Sequence, residues 1–253
     1  LNYRFKDSTV SNSPKPGYKY MEPGLYMFPA YQDTIRSCIL HSPLNPKKEY
    51  AYSDLGFILL KFAVEHVTEK SLDQYCQEEF YRKLGMYHTD FLAHKRLNKN
   101  NLVPSCVDKL YRKTELKGYV HDPVAALLGG IAGHAGLFST AEDLAKMMQL
   151  YLNGGTYGGE YYFSPETMAT FSCKNNLFPK NRRGLGFDKP EPDQTKINPV
   201  SKCLPLTSFG HTGFTGIMAW CDPDNKLLYL FLSNRTYPDE FNTKLSEMNI
   251  RTQ

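Results

Sequence analysis

Apolar residues first recur at helical spacing just after residue 52. The stretch YSDLGFILLKFAVEHVTEKS predicts an amphipathic helix that Ser53 or Asp54 caps. The predicted apolar face consists of Phe57, Leu60, Val64 and Val67. The next stretch, SLDQYCQEEFYRKLGM, predicts a second helix that ends at Gly85. Because the two segments are adjacent in sequence, we expect these helices to pack together.

Further helices are indicated by their start and stop signals. Ser139 and Glu142 have the spacing of a capping box, and the helix they begin ends at Gly154-Gly155. Pro165 stands just inside the start of another helix, and a short helix is expected over 31–40. The glycine-rich residues before Ser139 predict a tightly packed loop instead of a regular element.

Two strands are predicted near the C-terminal end of the chain. TGIMAWC and KLLYLFLSN flank DPDN, whose turn-forming residues predict a hairpin. The second strand is apolar on both faces, which favours a central position in a sheet. We therefore expect one α+β domain over 1–253, with an irregular lead-in over 1–50, mainly helices over 52–172 and the sheet hairpin within 206–235.

The overall composition narrows the classes of function. Of 253 residues, 41% are hydrophobic and 22% charged, and the net charge of +4 is too small and too scattered to predict nucleic-acid binding. The local basic cluster KNRR, Lys180 to Arg183, is interpreted as a solvated loop. No run of 18 apolar residues predicts a membrane span, and the first residues do not have the pattern of a signal peptide. Leu1 suggests an internal cut in a longer polypeptide.

The cysteines and histidines do not predict a metal site or a cofactor. The six cysteines form no C-x-x-C pair and are expected to be mainly buried thiols. His121, Asp122 and His134 flank the glycine-rich loop without a third clear ligand. We expect them to hydrogen-bond the backbone of that loop.

Two short motifs are candidates for chemistry. In SFGHTGFTGIMAWCDP, His211, Thr212 and Gly213 precede a strand, where an imidazole, a hydroxyl and a glycine suit a ligand's carboxylate. The N–H group of Phe214 could then polarise a carbonyl oxygen. The alternative is a polar turn before a buried strand.

The second motif, Tyr52-Ser53-Asp54, stands at a helix start. A phenolic oxygen beside a cation can serve as a general base or proton relay. A helix cap with a packed tyrosine is the alternative.

Together these motifs resemble the serine β-lactamase and penicillin-binding-protein superfamily, in its class C and esterase-like branch. That family has S-x-x-K, then Y-x-N or Y-x-S, then a K-T-G or H-T-G strand. The segments YSDLGFILLKFAVEHVTEKSLDQYCQEEFYRKLGMYHTDF, HDPVAALLGGIAGHAGLFSTAEDLAKMM and GHTGFTGIMAWCDPDNKLLYLFLSNR carry the resemblance, which covers about 52–235. It is greatest to the β-lactamase-like domain that follows a glycoside hydrolase family 3 β-N-acetylglucosaminidase in some bacterial envelope proteins.

The resemblance implies a β-lactamase/transpeptidase-like fold, an antiparallel sheet flanked by helices, with its N-terminal part missing. It implies Tyr52 as catalytic tyrosine, with Asp54 where many members have asparagine. His211 would replace the usual lysine and bind substrate with Thr212 and Gly213, and the Phe214 N–H would line an oxyanion hole. A substrate related to peptidoglycan, a periplasmic or envelope location and a preceding glycosidase domain are also implied. The region around Arg182 and Arg183 is expected to shape specificity.

One part of the family pattern is absent, since no serine in this sequence has a lysine three positions later. Without that pair there is no activated nucleophile. One interpretation places the serine upstream, so that this chain alone is inactive. A second is a non-catalytic module that binds peptidoglycan peptides or positions a glycosidase. A third is a fragment that dimerises to cover exposed apolar sheet surface.

Overall fold

The computed structural model describes residues 9–47, 49–178 and 181–252. Within them the α-helices are α1 (Tyr31–Leu40), α2 (Leu55–Thr68), α3 (Leu72–Cys76), α4 (Ala93–Arg96), α5 (Pro123–Leu127), α6 (Ala141–Leu152), α7 (Pro165–Ser172) and α8 (Lys244–Glu247). A π-helical turn, Gln77–Tyr81, continues α3, and Lys99–Asn101 form a 3-10 turn.

Ten strands accompany these helices in the described part of the chain. They are β1 (Val10–Ser11), β2 (Lys19–Glu22), β3 (Leu25–Met27), β4 (Pro104–Asp108), β5 (Thr114–Lys117), β6 (Thr156–Tyr157), β7 (Glu160–Tyr161), β8 (Phe209–Thr212), β9 (Met218–Asp222) and β10 (Leu227–Phe231). All pair antiparallel, in sheets ordered β1-β3-β2, β10-β9-β8, β4-β5 and β6-β7. The α+β class is therefore confirmed.

The sheet of β8, β9 and β10 packs against α6. Met148 of that helix lies in one buried cluster with Phe209 and Cys221, and Leu228 and Leu230 pack on the same cluster. The hairpin prediction is confirmed, with Leu228 opposite Cys221 and Leu230 opposite Ala219. This packing fixes β8, the strand that carries the candidate motif.

The predicted central position of the second hairpin strand is wrong. β10 forms an edge of its sheet, and Leu227 and Tyr229 are 60% and 50% exposed. Leu228 and Leu230 pack on the cluster that includes Met148 of α6, whereas on the other face only Phe231 packs against a buried cluster and Leu227 and Tyr229 stay exposed. An all-apolar strand cannot by itself reveal whether its second face is covered.

The predicted apolar face of α2 is also wrong. Ile58 is the buried apolar residue of this helix, whereas Phe57, Leu60 and Val67 are 37%, 57% and 81% exposed. The expected contact between the two helices is confirmed, since the Leu72 N–H donates to Glu65 Oε1 at 3.0 Å. Because apolar residues lie on most sides of α2, their three- and four-residue spacing does not identify the side that is buried.

The N-terminal region holds more regular structure than the sequence pattern predicts. β1, β2 and β3 form a sheet within the expected lead-in, and the helix over 31–40 is confirmed by α1, which buries Ile35 and Ile39. Short strands flanked by turn residues have too few positions for a period-two pattern to be recognised.

Three local expectations need correction. The cap of α6 is Thr140, one residue after the expected Ser139, and its Oγ1 accepts from the Asp143 N–H at 3.3 Å. The glycine-rich segment is preceded by the short helix α5, which Asp122 caps. The cysteines are not mainly buried: Cys106 and Cys221 are buried, Cys76 is partly exposed, and Cys38, Cys173 and Cys203 are exposed. The helix at Pro165 is confirmed by α7.

No helix in the described ranges combines the length and apolarity that a membrane span would need.

Candidate active site

The candidate histidine lies on β8, the edge strand of its sheet. His211 pairs with Ala219 of β9 on one side. On the other side, Asp188 forms a bridge with Gly210, with N–H to carbonyl distances of 2.7 and 3.1 Å. A Cβ on Gly210 would lie 2.3 Å from the Ala219 carbonyl oxygen, so only glycine at this position lets β8 approach β9 this closely. Because of the bridge between Asp188 and Gly210, the segment before Asp188 is held alongside the histidine.

Tyr52 lies beside His211. The two ring centres are 6.1 Å apart, at an interplanar angle of 31°. Tyr52 precedes α2, and the glycine-rich loop holds this helix closely, because a Cβ on Gly133 would lie 2.1 Å from the Phe57 carbonyl oxygen. The tyrosine remains 60% exposed, so the residue is accessible to a molecule from solvent.

Arg183 joins the two predicted residues. Its NH1 lies 3.0 Å from His211 Nε2, and its guanidinium carbon lies 4.8 Å from the centre of the Tyr52 ring. Its NH2 lies 2.9 Å from Oδ2 of Asp188, which is 1% exposed. Arg182 pairs with the same oxygen at 2.9 Å. The expected solvated loop is thus wrong for these two arginines, while Lys180 lies outside the described residues.

The proton on Tyr52 is held more firmly than in free tyrosine. Partial burial raises the pKa of the Tyr52 hydroxyl, and the Asp54 carboxylate raises it further, while the Arg183 cation acts in the opposite direction. Asp54 occupies the N-cap position of α2, but its side chain makes no capping bond, and Ser53 Oγ instead accepts from the Leu55 N–H at 3.2 Å. At neutral pH Tyr52 is therefore a protonated phenol.

Thr212 and Gly213 extend from His211 toward a tight turn. The Thr212 carbonyl oxygen lies 2.8 Å from His211 Nδ1. The Gly213 N–H donates to the Ile217 carbonyl at 2.8 Å, and a Cβ on Gly213 would lie 2.5 Å from Ile217 Cγ1. The space beside Gly213 is therefore filled by Ile217.

Phe214 follows in the same turn and is 62% exposed. Its carbonyl accepts from Arg235 Nε at 2.6 Å, and the Arg235 guanidinium lies 4.3 Å from its ring centre. The ring also contacts His121 at 5.1 Å between centres. Within the described residues, the Phe214 N–H has no hydrogen-bond acceptor. No protein acceptor among the described residues therefore competes for this N–H group.

The histidines near the glycine-rich loop bind carboxylates. His134 Nε2 lies 2.8 Å from Asp122 Oδ1, and His121 Nε2 lies 2.9 Å from Glu240 Oε2. The expected hydrogen bonds from these side chains to loop backbone are therefore replaced by side-chain pairs. The described ranges contain no group of three residues arranged to hold a metal ion.

Sequence reasoning missed the roles of Arg183 and Asp188 in this arrangement. The two arginines stand out in the sequence as a basic cluster, but their partner Asp188 is separated from β8 by a long stretch of chain. The one available signal was an acidic residue in the same polar segment as two adjacent arginines. That signal alone cannot show which side chains meet.

The family model for beta-lactamase matches residues 12–248. A protein of Escherichia coli (strain K12) described as "Putative D-alanyl-D-alanine carboxypeptidase" is 35% identical over 213 residues, which is 79% of this chain and 48% of the relative. A protein of Salmonella gallinarum with the same description is 31% identical over 242 residues, covering 87% and 54%. The octameric penicillin-binding protein homologue from Pyrococcus abyssi aligns with a TM-score of 0.54 and 19% identity, over 87% of this chain and 48% of that one.

The chain belongs to the beta-lactamase family and has the β-lactamase/transpeptidase-like fold. The resemblance seen in the sequence is confirmed at this level. The chain spans about half the length of the curated relatives it matches.

Proposed function

We propose that this chain carries the tyrosine and strand part of an acyl-transfer site, in a serine hydrolase of β-lactamase, D,D-peptidase or esterase type. The nucleophilic serine would be supplied by sequence outside these 253 residues, because none of the serines in the chain begins S-x-x-K. The chain by itself would then form no acyl-enzyme.

In this proposal each site residue has a separate role. Tyr52 passes a proton to or from the reacting groups, and Asp54 adjusts the pKa of Tyr52. The Phe214 N–H stabilises the oxyanion that develops on the substrate carbonyl. His211, Thr212 and Gly213 line the edge along which the substrate lies. No metal or cofactor takes part in the proposed reaction.

The observation that carries the proposal is the contact between Tyr52 and His211. These residues are far apart in sequence, yet their ring centres lie 6.1 Å apart at an accessible surface. A helix cap with a packed tyrosine, the alternative for Tyr52-Ser53-Asp54, does not require a neighbouring histidine. A polar turn before a strand does not require a tyrosine.

The substrate is proposed to be a small ester, amide or lactam related to the cell wall, and the location the bacterial envelope or periplasm. The curated relatives described as carboxypeptidases are bacterial, which supports this proposal. A glycosidase domain in the same polypeptide is a further proposal from the sequence resemblance.

Covalent labelling tests the proposed function. A fluorescent penicillin and a fluorophosphonate would be applied to this chain and to a longer polypeptide that includes the upstream sequence of the same gene. We expect label on the longer polypeptide only, at a serine outside these residues. Label on neither would contradict the hydrolase and favour a module that binds peptidoglycan peptides without catalysis.

A further inference from the structure

Both ring nitrogens of His211 have partners of fixed hydrogen-bonding character. Nδ1 lies 2.8 Å from the Thr212 carbonyl oxygen, which can only accept a hydrogen bond. Nε2 lies 3.0 Å from NH1 of Arg183, and a guanidinium can only donate. The one arrangement that satisfies both contacts is a neutral imidazole whose Nδ1 carries the hydrogen and whose Nε2 accepts with its lone pair.

The guanidinium that meets Nε2 is itself held on two further sides. Its NH2 lies 2.9 Å from Oδ2 of Asp188, and the Tyr52 ring lies 4.8 Å from its central carbon. The Arg183 side chain is 18% exposed and that of Asp188 2%. Since the Asp188 backbone is bonded to β8, this salt bridge ties Arg183 to the strand that carries the histidine.

We infer that Arg183 is a positioning residue of the site. It fixes His211 in the tautomer with hydrogen on Nδ1 and holds the Tyr52 ring beside the imidazole. Nε2 of His211 therefore already accepts a hydrogen bond from Arg183. The positive charge next to Tyr52 is that of the Arg183 guanidinium. The positioning role deepens the proposed function and rests on it. The tautomer of His211 does not depend on the proposed function, since it exists without substrate.

Nitrogen NMR of the histidine side chains measures the tautomer directly in this chain. Long-range ¹⁵N–¹H spectra distinguish a protonated ring nitrogen from one with a free electron pair, and a His211→Asn variant assigns the signal. We expect the wild-type chain to have hydrogen on Nδ1. In Arg183→Ala we expect a shift toward the tautomer with hydrogen on Nε2, because that nitrogen loses its donor.

Arg182→Ala is the matched control. Arg182 bonds the same Asp188 oxygen at 2.9 Å and the Lys189 carbonyl at 3.0 Å, but it makes no contact with His211. Its removal should leave the His211 tautomer unchanged. Hydrogen on Nε2 in the wild-type chain, an unchanged tautomer in Arg183→Ala, or an equal change in both variants would overturn the inference.

A second readout uses the longer polypeptide of the labelling experiment. If it reacts with penicillin, Arg183→Ala should slow acylation at saturating penicillin on the order of 100-fold, the scale expected when catalytic groups are misplaced by about 1 Å. Arg183→Lys should recover part of this rate, and Arg182→Ala should retain most of it. Equal rates in all variants would contradict the positioning role. If the polypeptide does not react, the proposed function fails, while the tautomer measurement still decides the inference.

Discussion

Two arginines, Arg112 and Arg183, lie at the centres of charged clusters, and they differ in how completely their donors are used. Arg112 is 3% exposed and binds the carboxylates of Glu22 and Asp108 at 2.7 and 2.6 Å. Its other N–H groups donate to the Val120 and His121 carbonyls, at 2.7 and 2.6 Å. Every partner of Arg112 belongs to the fold, so this cluster is closed to a ligand.

Arg183 has one carboxylate partner, one imidazole partner and an exposed aromatic ring beside it. Its cluster opens to solvent through Tyr52. The comparison indicates that the number of charged groups does not distinguish the arginine of the closed cluster from the arginine of the proposed site. What distinguishes them is whether all the partners are buried and belong to the fold.

The largest expected effect is the loss of the closed cluster. Arg112→Met should lower the free energy of unfolding by about 3–5 kcal/mol, the typical result of leaving buried carboxylates without their cation. Urea unfolding measured by circular dichroism would quantify it.

The loss in Arg112→Met should depend on pH. Burial raises the pKa of Glu22 even with Arg112 present, and removal of the cation should raise it further. Protonated carboxyls no longer need a cation, so the difference from wild type should shrink as the pH falls through the raised pKa. The matched control is Arg36→Ala, whose exposed pair with Asp33 spans 4.0 Å and should contribute less than about 1 kcal/mol. A loss in Arg112→Met as small as in Arg36→Ala would refute the distinction between the clusters.

An intermediate effect is expected at the buried end of the open cluster. Asp188→Asn should cost about 1.5–3 kcal/mol, the range for hydrogen bonds to charged groups, because Arg182 and Arg183 both lose their carboxylate. Urea unfolding of Asp188→Asn and Arg112→Met under the same conditions gives the comparison directly. A larger loss in Asp188→Asn would mean that the open cluster is the more important one for stability.

The smallest effect is on a single pKa and should leave stability unchanged. Burial raises the pKa of Tyr52 first and the Asp54 carboxylate raises it second, so Asp54→Asn should lower the pKa of Tyr52. A pH titration of the Tyr52 ring carbon by NMR would follow it. Asp33→Asn, an exposed carboxylate on α1, serves as control. A pKa of Tyr52 that rises or stays constant in Asp54→Asn would remove Asp54 from the site.

The sequence predicted those parts of the fold whose signals are local. The hairpin turn at DPDN and the helix at Pro165 each depend on a few adjacent residues, and the structure has them. The second helix ends earlier than Gly85 predicts, because its π-helical part stops at Tyr81 and turns lead from there to the glycine. The buried side of α2 and the edge position of β10 depend on what packs against those elements. An apolar residue such as Leu60 or Leu227 has the same appearance in the sequence whether it is covered or exposed.

The candidate site divides in the same way. Tyr52 and His211 were recognisable because each stands in a short motif, and the structure places them in contact. Arg183 stands in no motif, and it reaches His211 only because a backbone bridge brings Asp188 to β8. That bridge joins segments with irregular structure between them, for which hydrophobic periodicity offers no guide.

The most direct test of the central claim is the acylation rate of the longer polypeptide with Tyr52→Phe. Phenylalanine keeps the ring contact with Arg183 and His211 and removes only the hydroxyl, so stability should be nearly unchanged. If Tyr52 transfers a proton in the reaction, labelling by fluorescent penicillin should slow by about 10²–10⁴-fold, the usual contribution of a general acid or base. Labelling at the wild-type rate would show that this tyrosine is not part of the chemistry.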